Sequence, residues 1–191
     1  MGFLDVLRGK RAIKQAAPTD RVFAMTTAQV SLEMTLGLKS KGTSAIVFQP
    51  LATADFEQIV RDMEEVVRST GEETGTTIET SDDEFGYRWM ILRDPDFEDL
   101  VVGLNAVSTA LEAGGYGDRI LASVFPFADE AGASVYWIYN YKRGAFYPFV
   151  PAAGDQRRDN ERELRLKAQI GAELPIEAEL ERWFPLWGIP I

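Results

Sequence analysis

Apolar positions recur along this chain in two periods, three to four residues and two, and their succession outlines a fold. Thr26 or Thr27 is placed to cap a helix running to about Leu38. That helix carries two apolar rows at four-residue spacing: Val30, Met34 and Leu38, and Ala28, Leu32 and Leu36. Lys39 to Gly42 breaks it, and Ala45 to Gln49 reads as a buried strand. Thr53 caps a second helix whose stripe is Phe56, Ile59, Val60, Met63, Val66 and Val67, with Gly71 as its stop. Thr76 to Thr80 reads as an edge strand, and Tyr87 to Leu92 alternates with period two as a strand should. Asp94-Pro95 is a helix start, followed by the stripe Phe97, Leu100, Val101, Leu104, Val107 and Leu111 and the stop Gly114-Gly115. Strands over Ile120 to Phe127, Ser134 to Tyr141 and Ala145 to Val150 follow, the last held to an edge by Pro148. Asp155 is placed to cap a charged helix reaching Ile170, and a short helix near Ile176 to Arg182 leads into the aromatic ending WFPLWGIPI.

Strands that follow one another in sequence pair as hairpins, so this order predicts a single α+β domain, an antiparallel sheet with packed helices. The body is expected over residues 21–191, with an aromatic C-terminal tail. Residues 1–20 form a basic amphipathic arm. Hydrophobic residues make up 46% of the 191, enough to bury a core.

Charge sharpens this picture. The chain carries a net −10, which disfavours nucleic acid as the main partner. Residues 1–21 hold five basic residues against Asp5 and Asp20, a net of +3, so −10 less +3 leaves −13 on the rest. Within the arm, Phe3, Leu4 and Leu7 share a helical face, and Arg8, Lys10 and Arg11 follow them. Those residues are candidates for docking on anionic lipid or in a partner's groove; the alternative is that they fold back to close the core. No secretory signal or membrane-spanning run is legible, which places the protein in the cytoplasm, with peripheral contact at the inner face of the membrane.

Histidine and cysteine are absent, which excludes thiolate catalysis, Ser-His triads and the common zinc sites. No cofactor and no metal is expected. Asp94, Asp96, Glu98 and Asp99 lack the glycine of a calcium loop and are explained by helix capping. Asp82, Asp83 and Glu84 read as a solvated turn. Gly114 to Gly117 follows a helix rather than a strand, so it is no phosphate-binding turn. The chemistry-bearing stretch is the last hairpin. Tyr139, Tyr141, Phe146, Tyr147 and Phe149 surround Lys142 and Arg143, and Arg157, Arg158 and Asn160 follow. Lys142, Arg143, Tyr147, Arg157, Arg158 and Asn160 make the candidate site for a partner or an anion. The competing account is a hairpin whose aromatics fill the core and whose basic turn faces water.

The start MGFLDVLRG, the segments FAMTTAQVSLE, FGYRWMILRDPDFEDLV and ILASVFPF, the hairpin YKRGAFYPFVP, the RRDN run and the ending ERWFPLWG together resemble the PspA-associated protein B family. The resemblance implies a non-catalytic adaptor or regulator of the phage-shock envelope-stress response, with PspA or an associated stress protein as partner. It brings no catalytic residues. The order of elements also resembles the YbjN and type III secretion-chaperone-like fold. A small-ligand or anion sensor is the alternative function, and a carboxylate- or metal-dependent enzyme ranks behind it.

Overall fold

The computed structural model describes residues 20–154 and 156–191. The N-terminal arm and the expected cap Asp155 therefore lie outside the described residues. Among the described residues four α-helices are present: α1 (Ala24–Leu36), α2 (Ala54–Thr74), α3 (Phe97–Ala113) and α4 (Asn160–Ile170). The strands are β1 (Lys39–Ser40), β2 (Thr43–Phe48), β3 (Thr77–Asp82), β4 (Arg88–Arg93), β5 (Ile120–Ala128), β6 (Ser134–Asn140) and β7 (Ala145–Phe149). They form one sheet in the order β3-β4-β2-β5-β6-β7, with β1 paired to β5, and every pairing is antiparallel. The expected α+β architecture is the one observed, with β3 at one edge and β7, carrying Pro148, at the other.

Helices α1, α2 and α3 cover one face of the sheet. Ile46, Phe48, Met90, Leu92, Phe125, Phe127, Trp137 and Phe146 point from the strands into this core. The α3 stripe is buried in full, from Phe97 to Leu111. Of the two rows on α1, burial selects Ala28 and Leu32, with Met25 beside them, and leaves Val30 57% and Met34 81% exposed, while Leu38 lies past the end of the helix and is buried. Four-residue spacing alone cannot choose between rows that both satisfy it.

Several boundaries move for local reasons. α1 starts before Thr26 and ends at Leu36, because Gly37 takes the left-handed conformation (φ 63°) and closes the helix. The expected break at Lys39 to Gly42 contains the two-residue strand β1. Gly71 lies inside α2, which Gly75 (φ 97°) terminates. Glycine is required at 71 because the chain turns back over it: a Cβ there would stand 1.9 Å from the Thr76 carbonyl oxygen. Asp96, not Asp94, caps α3, its side chain accepting from the Glu98 N–H. Buried Asp94 instead accepts from the Asp96 N–H at 2.7 Å and from the Thr76 hydroxyl, tying the loop to the start of β3. Asp159 caps α4 by accepting from the Arg162 N–H, so that helix is shorter than expected. The expected helix at Ile176 to Arg182 reduces to the 3-10 turn Leu180–Arg182, because Ile176 is drawn into a parallel bridge with Phe146.

The opposite face of the sheet is also apolar. Ala45, Val47, Trp89, Ile91, Ala122, Val124, Ile138, Tyr147 and Phe149 line it, and Trp183, Leu186, Trp187, Ile189 and Ile191 pack against them. The C-terminal segment thus does on this face what helices do on the other.

Candidate functional site

Strand alternation decides where the aromatic hairpin residues go. Tyr139, Tyr141 and Phe146 turn into the helix-side core, while Tyr147 and Phe149 turn to the tail side. Lys142 and Arg143 sit in the turn between β6 and β7, both exposed, with Arg143 paired to Glu177 at 2.8 Å. The Arg143 hydrogen bond and the Glu179 N–H, acting against burial, hold the Glu177 carboxyl below the usual range. Arg157 is exposed, as is Asn160, the first residue of α4. Arg158 is partly buried and paired with Glu163 at 2.7 Å. Of the six candidates, Arg158 and Asn160 line one small cleft with Glu163, Leu164, Leu180 and Trp183, while Tyr147 lines another.

Two of them fix the tail. Tyr147 donates its hydroxyl hydrogen to the Phe184 carbonyl at 3.0 Å, and its ring stacks on Trp183 with centroids 6.3 Å apart. Burial pushes the Tyr147 phenol above its ordinary pKa, so it remains a donor. The Arg158 guanidinium donates to the Trp183 carbonyl at 2.6 Å and lies over the Phe149 ring. The Trp183 indole donates to the Glu177 carbonyl at 3.1 Å, and Lys167 covers its ring.

Between this anchored tail and the β3–β4 hairpin lies an apolar groove of about 350 Å³. Its floor is one row across the sheet: Asn140 pairs with Ala122, Ala122 with Val47, and Val47 with Trp89. Phe85 and Tyr87 form one wall; Phe184, Pro185, Leu186 and Trp187 form the other. Phe85 is 67% exposed and Phe184 56% exposed, so the two rims are aromatic rings held in water. Phe85 has this position because Asp83 organises the turn. One Asp83 oxygen accepts from the Phe85 and Tyr87 N–H groups at 2.9 Å each, and the other accepts from the Trp89 indole at 2.9 Å. The acidic run expected to be a solvated turn is thus partly structural. Asp82 pairs with Arg88 at 2.7 Å, while Glu84 is exposed.

The polar groups of the groove are few. Asp83 is committed to three donors, Tyr147 to the tail, and Gln156 stands at the mouth with a positive φ of 49°. The Asn140 side-chain oxygen is buried and, among the described residues, meets no donor. Such a lining suits recognition of an apolar side chain or molecule with one donor to offer. It places no pair of carboxylates face to face.

From Met1 to Ile191, residues 1–191, the sequence matches the family model described as PspA associated protein B. The chain belongs to this family. No curated protein and no solved structure matches it, so no solved neighbour supports the finer likeness to the YbjN and secretion-chaperone-like fold. The family's description names an association with PspA.

Sequence reasoning missed the groove for a definite reason. Its walls come from residues about 100 apart, Phe85 and Phe184, and no local period links them. The WFPLWGIPI ending was a signal, because six large apolar side chains in a segment without period need a surface to cover.

No helix among the described residues is long and apolar enough to cross a membrane. Among the same residues, no group of three or more carboxylates is placed to hold a metal ion. Chelation should therefore leave the fold alone: with EDTA in excess the melting temperature is expected to stay the same. A sharp fall in differential scanning calorimetry would reveal a structural metal.

Proposed function

We propose that this protein is a non-catalytic adaptor of the envelope-stress response, acting on the cytoplasmic side of the membrane. In this reading it contacts PspA, or a protein associated with PspA, through the aromatic groove. The observation that carries it is the pair of exposed rings, Phe85 and Phe184, flanking an apolar floor that is itself well anchored. Large apolar side chains held in water around a concave surface mark a contact site rather than a core. A partner's aliphatic or aromatic anchor would enter over Val47 and Ala122, with the two rings closing on it. Outward docking of the N-terminal arm on anionic lipid belongs to the same reading.

The double substitution Phe85→Ala/Phe184→Ala tests it against purified PspA by titration calorimetry. Binding should weaken at least about tenfold, or ~1.4 kcal/mol. Stability should change little, since exposed positions contribute within about 0.5 kcal/mol. Undiminished affinity would move the contact elsewhere. Loss of binding in Lys142→Ala/Arg157→Ala instead would give it to the basic residues of the last hairpin.

A small-molecule sensor is the second reading, favoured by the groove's volume of about 350 Å³, inside the range of roughly 300–1,000 Å³ usual for such ligands. The lining favours a neutral apolar molecule over an anion, because the one charged side chain in it is the carboxylate of Asp83.

A further inference from the structure

The groove is apolar along its floor, acidic at one end and short of one hydrogen-bond donor at the other. Asp83 lines the β3–β4 end, with exposed Glu84 beside it on the same turn. At the β6 end the Asn140 side-chain oxygen is buried and meets no donor among the described residues. An acceptor left so costs free energy that a donor arriving with a ligand recovers.

The chain has a segment of matching chemistry. Residues 1–21 carry +3 against −13 on the remainder, and they place Phe3, Leu4 and Leu7 next to Arg8, Lys10 and Arg11. The body also shows where this segment leaves it. Arg21 donates from its guanidinium to the Gly144 carbonyl at 3.3 Å, and Gly144 closes the turn that Asn140 opens, its N–H bonded to the Asn140 carbonyl at 2.8 Å. Val22 is buried in the helix-side core, so the arm leaves near the β6–β7 turn from the helix side and must round the strand ends to reach the groove. The row from β6 to β3 crosses four inter-strand spacings, roughly 19 Å at ~4.8 Å each. Residues 8–19 can span up to about 40 Å, enough to round the strand ends, roughly 10 Å, and cross the floor. Reach does not limit docking.

We propose that the arm of the same molecule occupies this groove when no partner is bound, with Phe3, Leu4 and Leu7 against Val47, Ala122 and Trp187. The basic residues lie toward Asp83 and Glu84, and a donor of the arm meets Asn140. The proposal rests on the groove being the contact site, and it makes that site self-covered: a partner must displace the arm, which then becomes free to dock outward. Self-covering explains how two exposed aromatic rims coexist with a water-filled cytoplasm.

The test uses the full chain with a benzophenone amino acid in place of Phe3, irradiated at low micromolar concentration and mapped by mass spectrometry. Cross-links are expected within one molecule, to the Phe85–Trp89 hairpin or the Phe184–Trp187 tail. In Leu7→Asp/Arg8→Glu/Lys10→Glu they should fall at least tenfold. Cross-links to the helix face, cross-linked dimers, or no link to the body would each overturn the proposal. Added PspA separates the two readings. Loss of the cross-link supports a shared site. A cross-link that persists with PspA bound keeps the arm in the groove and refutes PspA binding there.

Discussion

Replacing Glu163 with alanine is expected to lower stability by about 3–5 kcal/mol, the usual cost of removing one partner of a buried ion pair. The Glu163 carboxylate is almost wholly buried and accepts from three donors: the Val150 N–H at 2.9 Å, and Arg158 through Nε at 2.9 Å and Nη2 at 2.7 Å. Alanine leaves both the guanidinium and the Val150 N–H without that acceptor. Because Arg158 also holds the Trp183 carbonyl, the loss should spread to the tail and be seen as faster hydrogen exchange over residues 183–191. Burial pushes the Glu163 pKa above its ordinary value, against the pull of Arg158 and the Val150 N–H. An acid whose folded pKa is raised favours the folded state at low pH and loses that contribution as pH rises through the folded value. Acid-labile stability must come from carboxyls shifted the other way. Asp129 is one, held down by the Ala133 N–H and by Arg162. Its contribution is present above the unfolded pKa and lost as pH falls through the folded one. A urea titration at neutral pH showing less than about 1 kcal/mol lost in Glu163→Ala would mean that Arg158 finds another acceptor.

Leu104→Ala is expected to cost about 2–5 kcal/mol, the range for a buried leucine truncated to alanine. Leu104 is fully buried at the middle of α3. Next to it, Gly103 lets the helix lie so near β4 that an added Cβ would stand 2.3 Å from Leu92 Cδ2. A helix already seated this closely has little room to settle further, so most of the cavity should persist. A loss of a few tenths of a kcal/mol in urea would show that the helix repacks.

The helical stripe holding Leu104 is legible in sequence because all six apolar residues fall on one face and no second row competes. On α1 two rows compete, and burial of Ala28 and Leu32 over Val30 and Met34 depends on tertiary contacts that the period does not encode. The sheet order is local except at β1, which pairs with β5, and at β2, which separates β4 from β5 and pairs with both. Its near-continuous burial was visible as the run AIVF, a sign that both faces would be covered. What covers the second face was not visible, since the tail is aperiodic and its anchors, Tyr147, Arg158 and Glu177, lie on three different segments. The expected aromatic–basic site shared that limit. Proximity in sequence gathered Tyr139, Tyr141 and Phe146 with Tyr147 and Phe149, and the pleat sends them to opposite faces.

The tail that walls the groove also sets a schedule for biogenesis. Residues 183–191 leave the ribosome after every strand they cover, so helices α1 to α3 can seal their face of the sheet while Trp89, Ile91 and Val124 still face water. At translation rates of about 5–20 residues per second, that interval lasts seconds. During it the nascent chain presents a sticky sheet to chaperones and to other nascent chains, and docking of residues 183–191 ends it.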